Sequence, residues 1–168
     1  CIGLKGHILK VDFPEKYRQW QEVEPRELIH AEIVKVPTNK SLIKLVQDEA
    51  KKADEIIIAT DFDREGELIG VDVINKVREV KPDILVRRAR FSALTPAEVK
   101  RVFSSLEDPY YNLASAGEAR QDIDLIWGAS LTRFISLAST RLGKNFLSVG
   151  RVQSPTLALI VDREKARR

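Results

Sequence analysis

Glu55-Ile56-Ile57-Ile58-Ala59-Thr60-Asp61-Phe62-Asp63-Arg64-Glu65-Gly66-Glu67 decides how this chain is read. It opens on a continuous apolar run, the pattern of a strand buried on both faces of a parallel sheet. Asp61, Asp63 and Glu65 follow at the carboxyl end of that strand, where open α/β sheets place their ligands. In an extended segment, residues at i, i+2 and i+4 project to one side, so the spacing predicts that the three carboxylates converge. Converged carboxylates repel one another, and the usual remedy is a hard cation with oxygen ligands. Magnesium suits the pattern because it takes one or two carboxylates, keeps several waters and reaches a substrate phosphate. Gly66 lets the backbone turn into a helix, and Arg64 is placed to neutralise a phosphate or a neighbouring carboxylate. The plainer alternative for any Asp-x-Asp is a charged loop at a helix N-terminus, where acidic side chains are favourable anyway.

The flanks extend the α/β reading. From Gly66 to about Val80, Leu68, Ile69, Val71, Val73, Ile74 and Val77 crowd one side of a predicted helix, and Pro82 ends it. Ile84 to Arg90 then alternates into another strand, so the order strand, helix, strand implies a right-handed βαβ unit. Upstream, Asn39 is placed to cap a helix through about Lys52. Ala31 to Val36 is a β-branched run stopped by Pro37, and Gly6 to Phe13 alternates up to Pro14, so both are predicted strands. Residues 15–30, with Trp20 and Pro25, read as polar turns. Thr95-Pro96-x-Glu98 has the form of a capping box with proline at the first helical position. Two long helical patterns follow, at 112–139 and 152–166, separated by the polar, glycine-bearing segment 141–151.

Composition bounds the rest. The chain has 168 residues, 43% hydrophobic and 32% charged, enough for one or two globular units with a real core. No run of eighteen apolar residues exists, and the start lacks the basic-then-apolar pattern of a signal peptide, so no membrane role is expected. Cys1, the single cysteine, excludes internal disulfides and any multi-cysteine zinc site. A chain that begins Cys-Ile-Gly and holds no methionine reads as a piece of a longer protein. Residues 1–108 carry 19 Lys/Arg against 20 Asp/Glu, whereas residues 109–168 carry 9 against 5. That basic excess suits contact with a polyanion, and an ordinary solvated basic face explains it as well. The lack of methionine and the charge-rich composition point to a thermophilic source.

The string Ile-Ile-Ile-Ala-Thr-Asp-x-Asp-Arg-Glu-Gly-Glu resembles the Toprim motif as it stands in type IA DNA topoisomerases. Primases and type II topoisomerases share the acidic scheme but generally not the whole block. Further segments resemble the same family, in its order: Gly6-His7 near the start, then Phe91-Ser92-Ala93-Leu94-Thr95. Ala116-Gly117-Glu118-Ala119-Arg120-Gln121-Asp122-Ile123-Asp124, continuing to Gly128 and Thr132-Arg133, is similar to the helix that opens the family's single-strand-binding domain. Ser148-Val149-Gly150-Arg151-Val152-Gln153-Ser154-Pro155-Thr156-Leu157 resembles that domain's Ser-x-Gly-Arg-Val-Gln signature. The resemblance covers nearly the whole chain and is nearest the archaeal topoisomerase I and topoisomerase III forms. It implies an α/β Toprim domain (Rossmann-like, with a mostly parallel sheet) over residues 1–108 that lacks its first strand. Residues 109–168 would be an α-helical portion, part of the single-strand DNA-binding domain.

The resemblance also implies roles. Asp61, Asp63 and Glu65 would be catalytic carboxylates that hold Mg²⁺, and His7, Arg120, Gln121, Asp124, Ser148, Gly150, Arg151 and Gln153 would contact DNA. Residues 148–153 lie where a loop enters a helix, and free N–H groups there attract phosphate. Arg151 would add a charge-assisted contact, and Ser148 and Gln153 neutral ones, which position a strand without reading its sequence. Plainer readings stand beside these. Arg120 and Asp124 at i, i+4 also fit a surface pair worth about 0.3–0.5 kcal/mol; His7 also fits an ordinary turn, and Trp20 and Trp127 are expected in the core.

The implied chemistry is transesterification on single-stranded, negatively supercoiled DNA through a 5′-phosphotyrosyl link, with strand passage and religation. None of Tyr17, Tyr110 and Tyr111 stands in the nucleophile's context, and no residue matches the family's first-strand glutamate. These 168 residues alone are therefore expected to be inactive without the remaining domains of the parent enzyme, a cytoplasmic, nucleoid-associated protein of a prokaryotic-type cell. The competing readings are the non-catalytic DNA-binding half of a split topoisomerase, and another Toprim protein such as a primase or nuclease.

Overall fold

In the computed structural model, which describes residues 1–168, nine elements follow one another. They are β1 (Leu9–Asp12), β2 (Val34–Pro37), α1 (Lys40–Lys52), β3 (Glu55–Ile58), α2 (Arg64–Arg78), β4 (Leu85–Arg88), α3 (Pro96–Phe103), α4 (Tyr111–Ala138) and α5 (Gln153–Arg167). Short 3-10 turns occupy Glu15–Tyr17, Pro25–His30 and Gly143–Asn145, so the predicted polar turns at 15–30 carry local helical order. No helix is long and apolar enough to cross a membrane. The chain divides into two compact units, one of residues 1–10 and 35–119, the other of residues 11–34 and 120–168. This packing division cuts the chain differently from the sequence boundary at residue 108, because residues 11–34 group with the C-terminal helices.

The first unit contains the βαβ arrangement. β3 and β4 pair in parallel, with Glu55 opposite Leu85 and Ile58 opposite Arg88, and α2 makes the crossover between them. Parallel neighbours need such a long connection. The Asn39 side chain caps α1 by accepting from the Leu42 N–H at 3.0 Å. Ile43, Val46 and Ala50 of α1 and Val73, Ile74 and Val77 of α2 pack with Ile8, Leu9, Ile58, Ile84 and Val86 into one core. Burying a side chain of this kind contributes roughly 1.5–3 kcal/mol.

Three local expectations are corrected. β3 is not buried on both faces: Ile58 is buried, but Ile57, which points to the opposite face, is 39% exposed and borders an open groove. Helix α2 begins at Arg64, two residues before the predicted start, because Asp63 caps it by accepting from the Gly66 N–H at 2.7 Å. At α3 only half of the capping box forms. Thr95 Oγ1 accepts from the Glu98 N–H at 3.3 Å, while the Glu98 carboxylate turns to Arg101, at 2.7 and 2.8 Å. That guanidinium holds the Glu98 carboxyl below its usual range.

The start of α4 lies against α2 within the first unit. A Cβ on Gly117 would stand 2.6 Å from the Arg64 carbonyl oxygen, so only glycine permits this approach. Lys35 ties the same two helices, reaching Asp72 of α2 at 2.9 Å and Glu118 of α4 at 2.7 Å.

In the second unit, Trp20 packs edge-on against Phe146 with ring centroids 5.8 Å apart, and the Arg133 guanidinium lies 5.5 Å from the Trp20 ring. Arg133 also donates to the Tyr17 carbonyl at 2.5 Å. Burial there lowers the Arg133 pKa, and Asp12 partly offsets the shift. Trp127, expected in the core, is 50% exposed on α4.

Candidate functional site

The acidic loop leaves β3 at Ile58 and enters α2 at Arg64. Asp61, Asp63 and Glu65 all line one groove of about 790 Å³, together with Ile2, Leu4, Ile56, Ile57, Ile58, Ile69, Val73 and Val77. The rim is acidic and the wall is apolar. Each carboxylate has a different local state. Asp61 has no hydrogen-bond partner for its side chain, Asp63 Oδ1 caps α2, and Glu65 Oε2 stands 3.1 Å from His7 Nε2. No group of three or more His, Cys, Asp or Glu side chains stands in metal-holding geometry. The alternation argument from sequence therefore needs correction: Glu65 lies in the first turn of α2, not in extended chain, so the i, i+2, i+4 rule does not reach it. What the structure does supply is three residues with the oxygen donors that a hard divalent cation requires, all lining one groove. His7, expected at DNA, is brought to Glu65, and its carbonyl accepts from Thr38 Oγ1 at 2.7 Å.

The loop backbone is held from several sides. Thr60 Oγ1 donates to the Gly66 carbonyl at 2.7 Å. Arg90 lies 4.2 Å from the exposed Phe62 ring and pairs with Glu107 at 3.1 Å. Glu67, the last acidic residue of the motif, behaves unlike the other three. It is 1% exposed and pairs with Arg88, also 1% exposed, at 2.7 Å. Arg88 further donates to the carbonyls of Ile58 (3.2 Å), Ala89 (2.7 Å) and Asp61 (2.9 Å). Glu67 closes the acidic motif with no role evident from its sequence, and the motif gives no sign of Arg88. A signal existed: Glu67 shares a helix face with Gly70 and Ile74, and Arg88 alternates in phase with the buried Val86.

A second candidate surface lies within the second unit. Arg120, Asp124, Gly150, Arg151 and Gln153 line a pocket of about 590 Å³ whose other wall is Val149, Val152, Leu157 and Ile160. Asp124 holds both charges: Arg151 reaches its two oxygens at 2.5 and 3.1 Å, and Arg120 stands 3.7 Å away. The Asp124 carboxylate raises the Arg151 pKa above its ordinary value. Gln153 Nε2 donates to Ser148 Oγ at 3.1 Å and to the Ser148 carbonyl at 3.0 Å. Ser148 is thus brought to this cluster through Gln153, whereas Gln121 is not among the residues that line the pocket.

The sequence reading missed what fixes this loop. On α4, Thr132 Oγ1 accepts from the Val149 N–H at 2.9 Å and Ser136 Oγ from the Leu147 N–H at 3.0 Å. Two hydroxyls one helical turn apart therefore pair with alternate residues, 147 and 149, of the loop that precedes α5.

Residues 1–94 match the family described as the Toprim domain, and residues 108–168 match the one described as DNA topoisomerase. DNA topoisomerase 1 of Archaeoglobus fulgidus is 52% identical over 163 residues, which is 97% of this chain and 25% of that protein. DNA topoisomerase 1 of Thermoplasma acidophilum is 51% identical over 98% of this chain and 21% of its own length. Human DNA topoisomerase 3-alpha is 39% identical over 98% of this chain and 17% of its own length. The structure of full-length topoisomerase I from Thermotoga maritima superimposes with a TM-score of 0.67 at 30% identity, covering 96% of this chain and 26% of that one. The chain thus spans a quarter or less of the length of these curated relatives.

Proposed function

The chain belongs to the Toprim family, as a segment of a type IA DNA topoisomerase, and on that premise we propose that Asp61, Asp63 and Glu65 hold Mg²⁺ for phosphodiester exchange on single-stranded DNA. The observation that carries this reading is that Asp61, Asp63 and Glu65 all line one groove at the carboxyl end of β3. Bound there, Mg²⁺ would supply positive charge to orient a DNA phosphate and the 3′-hydroxyl that reseals it. The protein's own part is positional: Asp63 fixes the start of α2, and His7 fixes the direction of Glu65. His7 is further proposed to meet the DNA backbone beside that rim.

The parent protein is proposed to relax negatively supercoiled DNA by single-strand cleavage, strand passage and religation, in the cytoplasm of a prokaryotic-type cell. Residues 1–108 supply its Toprim domain, and the apolar groove beside β3 fits a further strand of that domain. Residues 109–168 supply helical parts of the single-strand-binding domain. There Arg120, Gln121, Asp124, Ser148, Gly150, Arg151 and Gln153 are proposed to meet the strand, chiefly at its phosphates. Support comes from the two arginines and the amide of Gln153 that share one pocket with an apolar wall. Tyr17, Tyr110 and Tyr111 are not assigned as the nucleophile, so these 168 residues alone are proposed not to relax DNA.

A magnesium titration of the chain and of its Asp61→Asn/Asp63→Asn variant tests the metal assignment. The variant is expected to lose binding, and equal affinity in both would reject it. Relaxation of supercoiled plasmid by the nuclease-free chain alone would sink the claim of inactivity.

A further inference from the structure

We propose that Arg88 is the positioning residue of the acidic loop: its buried guanidinium fixes the Asp61 main chain and thereby sets where the rim carboxylates stand. The inference rests on the magnesium reading of Asp61, Asp63 and Glu65. Arg88 is 1% exposed and ends β4, opposite Ile58, the last residue of β3. Its Nε donates to Glu67 Oε1 at 2.7 Å; Nη1 donates to the Ile58 and Ala89 carbonyls, and Nη2 to the Asp61 carbonyl at 2.9 Å. Four of the five N–H directions of one rigid fork are thus engaged, three of them by main-chain oxygens.

A lysine cannot reproduce this arrangement. Its ammonium is a compact point charge with three donors and no planar fork, so it cannot serve Glu67, the end of β3 and the Asp61 carbonyl together. Glu67 is the counter-charge that makes burial of the guanidinium tolerable, and its Oε2 also lies 3.4 Å from the Tyr110 N–H. Arg88 touches no rim carboxylate. It acts on them through the main chain at Asp61, the residue whose carboxylate has no hydrogen-bond partner and whose direction is therefore set by the backbone that carries it.

The experiment measures Mg²⁺ binding by calorimetry, with thermal unfolding in parallel, on the 168-residue chain and three variants. Asp61→Asn/Asp63→Asn reports on the metal reading. Arg88→Lys keeps a charge and removes the fork. Arg88→Met/Glu67→Leu replaces the buried pair by apolar groups, so that neither charge is left buried without its counter-charge. At a temperature where each is folded, Arg88→Lys and the Met/Leu variant are both expected to bind Mg²⁺ at least tenfold more weakly than the parent chain. A merely structural role would change the melting temperature and leave the affinity of the folded protein alone. If the Asp61/Asp63 variant loses binding while a folded Arg88 variant keeps the parent affinity, the Arg88 assignment is overturned by itself. If the Asp61/Asp63 variant binds as the parent does, the metal reading falls and the assignment falls with it. Should Arg88→Lys fail to fold, the Met/Leu variant alone decides.

Discussion

The α-carbon of Gly66 lies against the carbonyl of Asp61, so that a Cβ built there overlaps the carbonyl oxygen and stands 2.8 Å from the carbonyl carbon. The first turn of α2 therefore presses on the loop that it follows. The same Asp61 carbonyl accepts from Arg88. Glycine next to an acidic residue is often explained by turning, but here the need is for empty space.

Replacing Gly66 by alanine therefore forces backbone to move, since the obstructing atoms are main chain and no side-chain rotamer relieves them. Such overpacking costs about 1–3 kcal/mol. For a chain of this length that corresponds to a loss of roughly 2–4 °C in melting temperature per kcal/mol. Thermal unfolding of Gly66→Ala should show a fall of several degrees, together with weakened Mg²⁺ binding, because the displaced residue is Asp61. A melting temperature equal to that of the parent chain would show that the loop yields freely.

How much of this could be read from sequence follows from the range of each interaction. Patterns that span a few residues survived: Asn39 and Thr95 cap their helices, and the β3–α2–β4 crossover follows from apolar runs and the proline at 82. Asp63 was foreseen as an acid near a helix start, yet its capping bond moves the start of α2 to Arg64 and takes Glu65 out of extended chain. The failures are long-range. Nothing local says that Ile57 borders a groove, or that Trp127 faces outward at 50% exposure while its helix buries Ser136 completely. Glu67 and Arg88 are 21 positions apart, and each alone looks like an ordinary charge. Only the phase of each residue within its own element betrays the pair, and phase identifies a buried face without naming the partner. The excursion of residues 11–34 into the second unit left no compositional trace at all.

The hydroxyls of Thr132 and Ser136 make a second prediction. Each accepts a main-chain N–H, from Val149 and Leu147, so α4 acts toward the 147–149 segment as a neighbouring strand would. A neutral bond of this kind contributes about 0.5–1.5 kcal/mol, and a lost partner leaves the amide to find water. Thr132→Val and Ser136→Ala should each speed hydrogen exchange at the one amide concerned, Val149 or Leu147, severalfold. They should also weaken single-stranded DNA binding, since Ser148 lies between those two anchors. Unchanged protection at both amides would mean that the helix does not hold the loop.

Lys35 gives the chain a predictable weakness at high pH. Burial pulls its pKa down, but hydrogen bonds to Glu118 and Asp72 outweigh burial, so the net shift is upward from 10.5. A cation with a raised folded-state pKa contributes stability that is complete below its unfolded value and is lost as pH rises through the folded one. The stability gap between the parent chain and Lys35→Met should therefore stay constant from neutral pH to about pH 10 and narrow above 10.5. Urea unfolding across that range measures it. A gap that persists undiminished, or that closes near neutral pH, contradicts the sign of the shift.

Arg151 and Arg120 share one carboxylate, Asp124, and the proposed phosphate contacts of both arginines can be tested through the salt dependence of DNA binding. Phosphate contacts release counterions, so each one lost should reduce the slope of log K against log salt by about 0.7 on a single strand. Arg151→Ala is expected to lower the slope by that amount and to weaken binding to unrelated oligonucleotides equally, because phosphates carry no sequence. Arg120→Ala should do the same. The double variant should come close to the sum of the two. Lys52→Ala, which removes an exposed charge paired to Glu49 in the first unit, is the control that should leave the slope in place. Fluorescence anisotropy with a labelled oligonucleotide over a salt series resolves these differences. A slope unaltered by Arg151→Ala would assign the guanidinium to holding Asp124 alone, and the pocket it lines would need another ligand.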